Sequence, residues 1–407
     1  METDTTDFAT SLPDIERVPS ILAKLKAGYE DLVTGGREGR RKLWLLAQEL
    51  QHAVSTAREM MTKHCLSEPA VLAVLVFGVE TGLWKLMARN GDKPQPVEEL
   101  AVGINVDPEL LSRLMRHLGA TGYLIETRGD EYLPTSFIKA MSLDQIGGGY
   151  PASLACLSRG TIGFSKFARE RGFKNPCNDR DTSLMMAYHT DQNVFSLIKS
   201  KGYLASFNHL MGGYGQGRLP WTSFYPVEER LVVGADPSPV APFLVDIGGN
   251  IGHDLERFQK KYPKTPGLLF LQDLEPVISG IKGLNPKIIA SIHDFHTPQP
   301  ITGARAYFMH SCLHNWPDEV CRNILMRITE AMQPGYSKLL INEIVIPPTN
   351  GHWEQTSSDI TMMALLSSKE RTERAWRCLV ESIPRLSIQK IWHGGVGNES
   401  LIECERV

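Results

Sequence analysis

The 407-residue sequence is poor in the features that mark several protein classes. Its seven cysteines are scattered, odd in number and include no Cys-x-x-Cys pair. That pattern offers no disulfide framework and fits a reducing, cytoplasmic setting. Charge of one sign is also lacking. A formal net charge of −3 supplies no bulk force toward nucleic acid or a membrane surface. The N-terminal peptide Met1–Asp7 is acidic and has no apolar core, unlike a secretory signal. No apolar run reads as long enough to span a bilayer; Pro69–Leu86 comes nearest, and Glu80 and Lys85 interrupt it. With 42% hydrophobic and 22% charged residues, the chain has the composition of a globular protein of two or three domains.

Four textures follow one another. Residues 1–66 read as an N-terminal helical arm, with Leu22, Leu25 and Leu32, then Leu43, Leu46 and Leu50, at helical spacing on either side of Gly35-Gly36. Such an arm packs either on a second subunit or on its own domain. Residues 67–142 combine helices with a small β-ribbon. Pro96-Val-Glu-Glu-Leu100 starts one helix, and Asp107-Pro-Glu109 caps another. Tyr123–Glu126 and Glu131–Leu133 then form two short strands around Arg128-Gly-Asp130. This is a winged-helix-like pattern, yet its presumed recognition helix carries only Arg113, Arg116 and His117, too little basic surface for DNA. Residues 143–235 are helical and rich in large apolar side chains, most of them core and a minority lining a pocket for a flat ligand. From residue 236 to 407, short apolar runs alternate with helices: 243–246, 268–271, 287–290, 306–309 and 338–341. The fold class is α/β, a doubly wound, Rossmann-like parallel sheet. Residues 386–392 and 400–405, joined by Gly394–Gly397, close it as an antiparallel hairpin.

The first strand of that sheet runs into Asp246-Ile-Gly-Gly-Asn-Ile-Gly-His253. A Gly-rich turn there marks a nucleotide-type site, because glycine lets backbone approach a ligand closely. Gly248 and Gly249 form its floor. The second strand ends in Asp273, whose carboxylate can accept both ribose hydroxyls. The third ends in Asp294 and Phe295, an acceptor for an adenine amino group and a ring to stack on it. The turn is not the Gly-x-Gly-x-x-Gly that cradles a pyrophosphate. S-adenosylmethionine has no phosphate and carries a sulfonium cation, which suits an acid-rich strand edge.

The fourth strand leads into His310-Ser-Cys-Leu-His-Asn-Trp-Pro-Asp-Glu319, placing His314 at the same edge. A phenol with a pKa of about 10 needs its proton removed before it attacks a methyl group, and a histidine near about 6.5 suits that work. Its other ring nitrogen needs an acceptor, for which Glu343 and Glu370 are both candidates. His310 and His314 share the i, i+4 spacing of helical zinc sites, but no Glu lies between them and the segment begins as a strand, so no metal is expected.

These pieces resemble the plant caffeic-acid type of O-methyltransferase, and more closely its fungal secondary-metabolism relatives. The resemblance covers residues 65–407 and includes Leu271–Ile278, His293–Pro300 and Lys369-Glu-Arg-Thr372. It implies S-adenosylmethionine as cofactor and a small phenolic or polyketide acceptor. It also implies a homodimer, formed through the winged-helix-like domain, in which one subunit's N-terminal part contributes to its partner's pocket. It makes His314 the general base and Glu343 and Glu370 the orienting acids. Gly248, Gly249, Asp273, Asp294 and Phe295 fall where the family contacts the methyl donor; so does His310, where Lys or Arg is common. Met186, Met362 and Met363 are expected pocket walls. Two further departures are Asn250, in place of a third glycine, and Glu381–Leu386, which lacks a small Ala-Gly pair. Some fungal proteins of this fold bind S-adenosylmethionine yet act as pericyclases, and a winged-helix regulator is a third reading. Retention of His314, Glu343 and Glu370 favours methyl transfer.

Overall fold

The computed structural model describes residues 9–12, 14–34 and 36–407; Met1–Phe8, with the acidic N-terminal peptide, Pro13 and Gly35 lie outside the described residues. Residues 1–150 and 151–407 form two compact units.

In the first unit, helices Val18–Thr34 and Gly36–Val54 pack on each other. Thr56 and Glu59 then form a capping box that starts a continuous helix over Ala57–Glu80. The apolar run legible in the sequence starts only at Pro69, so the helix is longer than that run. At 24 residues, with a window of mean hydropathy 1.3, it is long and apolar enough to cross a membrane by length and composition alone. Pro69 lies inside this helix and follows a π-helical turn over Lys63–Ser67, where the ladder is already irregular and a residue without an amide hydrogen is accommodated. Its Val71, Val74 and Leu75 join a core with Leu83, Trp84, Met87, Leu111, Met115 and Tyr132, while only 17% of its apolar window is buried in this chain. Gly78 is required there: a Cβ would lie 2.0 Å from the Trp84 ring. Asp107 accepts from the Leu110 amide at 2.9 Å and caps the Pro108–Ala120 helix. Gln95–Pro96, Glu131–Pro134 and Leu124–Arg128 make a three-stranded antiparallel ribbon in that order.

The second unit is built on a seven-stranded sheet. Its strands are β1 (Pro242–Ile247), β2 (Leu268–Asp273), β3 (Ile288–Ile292), β4 (Ala306–His310), β5 (Lys338–Glu343), β6 (Leu386–His393) and β7 (Ser400–Arg406). The order is β6-β7-β5-β4-β1-β2-β3, parallel except at β7. Side chains alternate between the two faces. Val245, Tyr307, Met309, Leu339 and Ile341 pack on one side with Ile324, Leu325, Trp376 and Leu379. Leu244, Phe308, Leu340 and Leu401 pack on the other with Trp221, Leu255 and Phe258. Two covered faces explain why the central strands β1, β4 and β5 are near-continuous apolar runs, whereas the edge strand β3 leaves Ile289 and Ile292 exposed. Between β1 and β4 the winding reverses, and ligands of such sheets bind outside the strand ends at that crevice. Between β2 and β3 the only helix is the short Glu275–Ile278.

Candidate active site

The Gly-rich turn leaves β1 exactly at the reversal point of the sheet. Gly248 and Gly249 amides both donate to the Gln272 carbonyl, at 2.8 and 3.1 Å, tying the turn to β2. Gly248 has φ +72°, and a Cβ there would lie 2.8 Å from Cys312 Sγ. At Gly249 a Cβ would lie 2.5 Å from the Asp246 carboxyl carbon. The glycines therefore let the turn pack directly on Cys312 and Asp246, and the cradle it forms tolerates no side chain at either position. Asn250, where the family often has glycine, sits at φ +53°. Asparagine tolerates this left-handed region, so the substitution leaves the turn intact.

Asp273 accepts the Asn250 amide at 2.8 Å and the Leu274 amide at 2.7 Å. Each carboxylate oxygen keeps a further lone pair for a ligand hydroxyl. Asp294 is exposed and orders its own turn by accepting the His296 amide at 3.0 Å. Phe295 lies within 3.5 Å of the position a Gly248 Cβ would take, and its ring meets Trp316 edge-on at 6.3 Å. These residues frame the crevice without a basic side chain among them, which suits an uncharged nucleoside and a cationic centre rather than a phosphate.

Beneath the turn, Asp246 is 1% exposed and neither carboxylate oxygen has a partner among the described residues. Burial, with Asp254 nearby, pushes its carboxyl well above the usual carboxylate range. Beside it His310 is spent on two acids. Nδ1 meets Asp254 Oδ2 at 2.6 Å and Nε2 meets Glu399 Oε2 at 2.8 Å. Burial works against the imidazolium, yet Glu399 and Asp254 hold it charged and raise its value. Glu399 also pairs with Arg218 and accepts from Asn342. Burial opposes its charge, but His310 and Arg218 take its carboxyl down to about 2. Of this cluster only His310 stands out in the sequence. Asp254, Glu399 and Arg218 lie 56 to 181 residues from their partners, and no local pattern announces them.

His314 stands on a single 3-10 turn, Leu313–Asn315, that follows Ser311 in the left-handed region at φ +52°. Both candidate acids reach it, by different routes. Glu370 Oε1 accepts from His314 Nδ1 at 2.9 Å. Glu343 Oε1 accepts the Leu313 amide at 2.8 Å and the His314 amide at 3.3 Å, while its Oε2 lies 3.7 Å from Nδ1. One acid therefore orients the ring and the other holds the turn that carries it. Ser358 Oγ fixes Glu370 by donating to Oε1 at 2.7 Å. Since a carboxylate can only accept, Nδ1 carries the hydrogen of this bond and Nε2 is the nitrogen left to take a proton. Burial lowers the tendency of His314 to charge, but the Glu343 and Glu370 carboxylates outweigh it and bring the ring to about 9.

The sequence by itself gives Arg371 no role. Fully buried, it donates to the Leu313 carbonyl at 3.0 Å and the Trp316 carbonyl at 2.9 Å, bracketing the His314 turn, and pairs with Asp318 at 2.8 Å. Being next to Glu370 in sequence, it locks acid and turn together. The Met362 and Met363 helix, Trp353–Leu366, packs against the His314 turn and against the Ser183–Tyr188 helix that carries Met186. All three methionines are half-buried. Met186 also opens on a surface hollow of about 550 Å³, where its sulfur lies 3.6 Å from Arg171.

Residues 229–383 match the O-methyltransferase domain family. The O-methyltransferase mfmE of Annulohypoxylon moriforme is 35% identical over 367 residues, 89% of each chain. Two solved structures, one described as a pericyclic reaction enzyme and the other as LepI in complex with SAM, superpose with a TM-score of 0.85. Each is 28% identical, with 96% of this chain and 100% of the other covered.

Proposed function

Because this chain belongs to the S-adenosylmethionine-dependent O-methyltransferases, we propose that its acceptor is a hydroxyl, phenolic in character, of a small secondary metabolite, with His314 as general base. The observation that carries this reading is the intact relay from Glu370 through the His314 ring, 2.9 Å long, at the same sheet edge as the Gly-rich turn. Gly248, Gly249, Asp273, Asp294 and Phe295 would hold the donor. When bound, S-adenosylmethionine supplies an electrophilic methyl group on a positively charged sulfur. His314 Nε2 takes the acceptor's proton as the oxygen attacks. A cation beside the ring favours its neutral, basic form, drawing the ring down from about 9 toward working pH. Glu370 stabilises the imidazolium that results, and Glu343 and Arg371 keep the turn in place. His310, with both nitrogens engaged, acts on the donor site through Asp254 and the turn. Met186, Met362 and Met363 furnish apolar walls for a flat acceptor.

Residues 67–142 would serve as a dimerisation domain, 143–235 as the pocket region and 236–407 as the donor domain. Exposed apolar side chains such as Met61 and Leu66, 56% and 68% accessible in this single chain, support a homodimer. Seven unpaired cysteines support a cytoplasmic location.

The test is incubation with methyl-labelled S-adenosylmethionine and a panel of phenols and polyketide extracts. Label in an extracted product, with an equal amount of S-adenosylhomocysteine, supports the reading. The similarity to a pericyclic reaction enzyme favours a second one. Donor binding without label transfer, accompanied by a product of unchanged mass or lighter by one water, would select it.

A further inference from the structure

We propose that His314, Glu343 and Glu370 also form a binding site for a divalent transition-metal cation of the zinc class, and that the bound cation switches the base off. One ligand atom from each residue lies within 4.8 Å of the other two. The ring nitrogen Nδ1 is 2.9 Å from Glu370 Oε1 and 3.7 Å from Glu343 Oε2. A tetrahedral ion with donors about 2.0–2.1 Å away keeps those donors roughly 3.3 Å apart. The two spacings to Nδ1 straddle that value, and with the whole set lying within 4.8 Å the ligand atoms have to draw together by at most about 1.5 Å.

Two buried oxygens point the same way. Glu343 Oε2 and Glu370 Oε2 are enclosed and have no hydrogen-bond partner among the described residues. Both side chains are 0% exposed, and Glu343 Oε2 is the atom that faces the ring. Unpartnered carboxylate oxygens are costly, and a cation satisfies both at once. Of the opposite oxygens, Glu343 Oε1 is committed to the backbone, while Glu370 Oε1 is itself the oxygen nearest Nδ1, so Glu370 offers the ion either of its oxygens. Glu343 Oε1 is held by two backbone amides and Glu370 Oε1 by Ser358. One imidazole and two carboxylates neutralise a divalent charge, and this nitrogen–oxygen set suits zinc, cobalt or nickel better than a soft monovalent ion.

The consequence follows from the ring's proton inventory. With Glu370 as acceptor, Nδ1 carries hydrogen and Nε2 keeps its lone pair. A metal bond at Nδ1 uses the lone pair of that nitrogen. The ring then retains one proton, on Nε2, and any second proton leaves to solvent. No group changes oxidation state. Nε2 can no longer accept a proton from the acceptor hydroxyl. The binding claim rests on geometry alone, whereas the switch rests on His314 being the base.

The experiment titrates the full chain with Zn²⁺ against a chromogenic chelator, in a Cys65→Ser, Cys177→Ser, Cys378→Ser background that removes the three exposed thiols. One equivalent should bind, and Glu370→Gln and Glu343→Gln should each weaken binding by at least about tenfold while keeping the far-UV spectrum. If Glu343→Gln fails to fold, Glu370→Gln decides. Zinc should also suppress methyl transfer by the background protein, with EDTA restoring it. No binding at millimolar Zn²⁺, or binding indifferent to both substitutions, overturns the site. Binding lost in the variants but without effect of zinc on turnover overturns the switch alone; the base is judged separately, by label transfer and by the pH profile of the rate.

Discussion

Replacing Glu370 by glutamine tests the relay at its narrowest point. The side chain keeps its shape, and only the charge and one acceptor are altered. The hydrogen bond from Nδ1 is 2.9 Å long and part-buried, with its acceptor Glu370 fully enclosed. A bond to a charged group contributes about 1.5–3 kcal/mol, or roughly 10- to 100-fold in rate if the imidazolium gains it in the transition state. A larger loss, up to about 10⁴-fold, follows if the amide nitrogen turns toward Nδ1 and forces the hydrogen onto Nε2. Ser358 donates to the same oxygen at 2.7 Å, and a hydroxyl donor there keeps the carbonyl oxygen of glutamine in place. The expected fall in kcat is therefore about 10²-fold, with donor affinity within a factor of about three. The pH profile moves too. Only the neutral ring accepts a proton, so kcat/KM rises with pH until the ring has titrated. In the donor-free protein Glu343 and Glu370 hold the ring at about 9, and loss of one carboxylate shifts the rising limb to lower pH. Initial rates with labelled donor from about pH 6 to 10 measure both effects. A variant with kcat within about threefold of wild type and an unmoved limb would refute the relay.

Gly248→Ala introduces a Cβ 2.8 Å from Cys312 Sγ at φ +72°; donor affinity should fall at least about tenfold in a direct binding titration, and an unchanged Kd would remove the cradle. Glu399→Gln leaves His310 and Arg218 short of a partner and should lower Tm by several degrees near neutral pH. The sign is that of a depressed carboxyl. Its contribution is complete above 4.5 and lost as pH falls toward about 2, so the Tm gap between wild type and variant should narrow on acidification. A gap that widens instead would contradict the ion-pair account. Arg371→Met should lower both Tm and kcat, the latter at least about tenfold, because the Leu313 and Trp316 carbonyls lose their donor. Activity retained in a destabilised protein would confine Arg371 to a structural part.

What the sequence alone determined was local. Strand runs such as 338–341 could be read because burial on both faces leaves no polar alternation, and the structure extends that run to Lys338–Glu343. The glycine positions were equally legible, since left-handed backbone and close approach demand the same residue wherever they occur. His314 was visible because a strand end followed by a helix start fixes its place at the sheet edge. The length of the Ala57–Glu80 helix was not, because charged residues and Pro69 broke up the apolar count while the backbone continued through them. Tertiary structure decided the rest. Glu343 and Glu370 were interchangeable as partners of His314 until the chain folded. Only then did one fall 2.9 Å from the ring and the other against the backbone of its turn. The assembly of His310 with Asp254, Glu399 and Arg218, and the clamp made by Arg371, join residues up to 181 positions apart. Periodicity reports which face of an element is buried. It carries no information about which distant charge will meet it there, because that depends on strand order and on where the loops return.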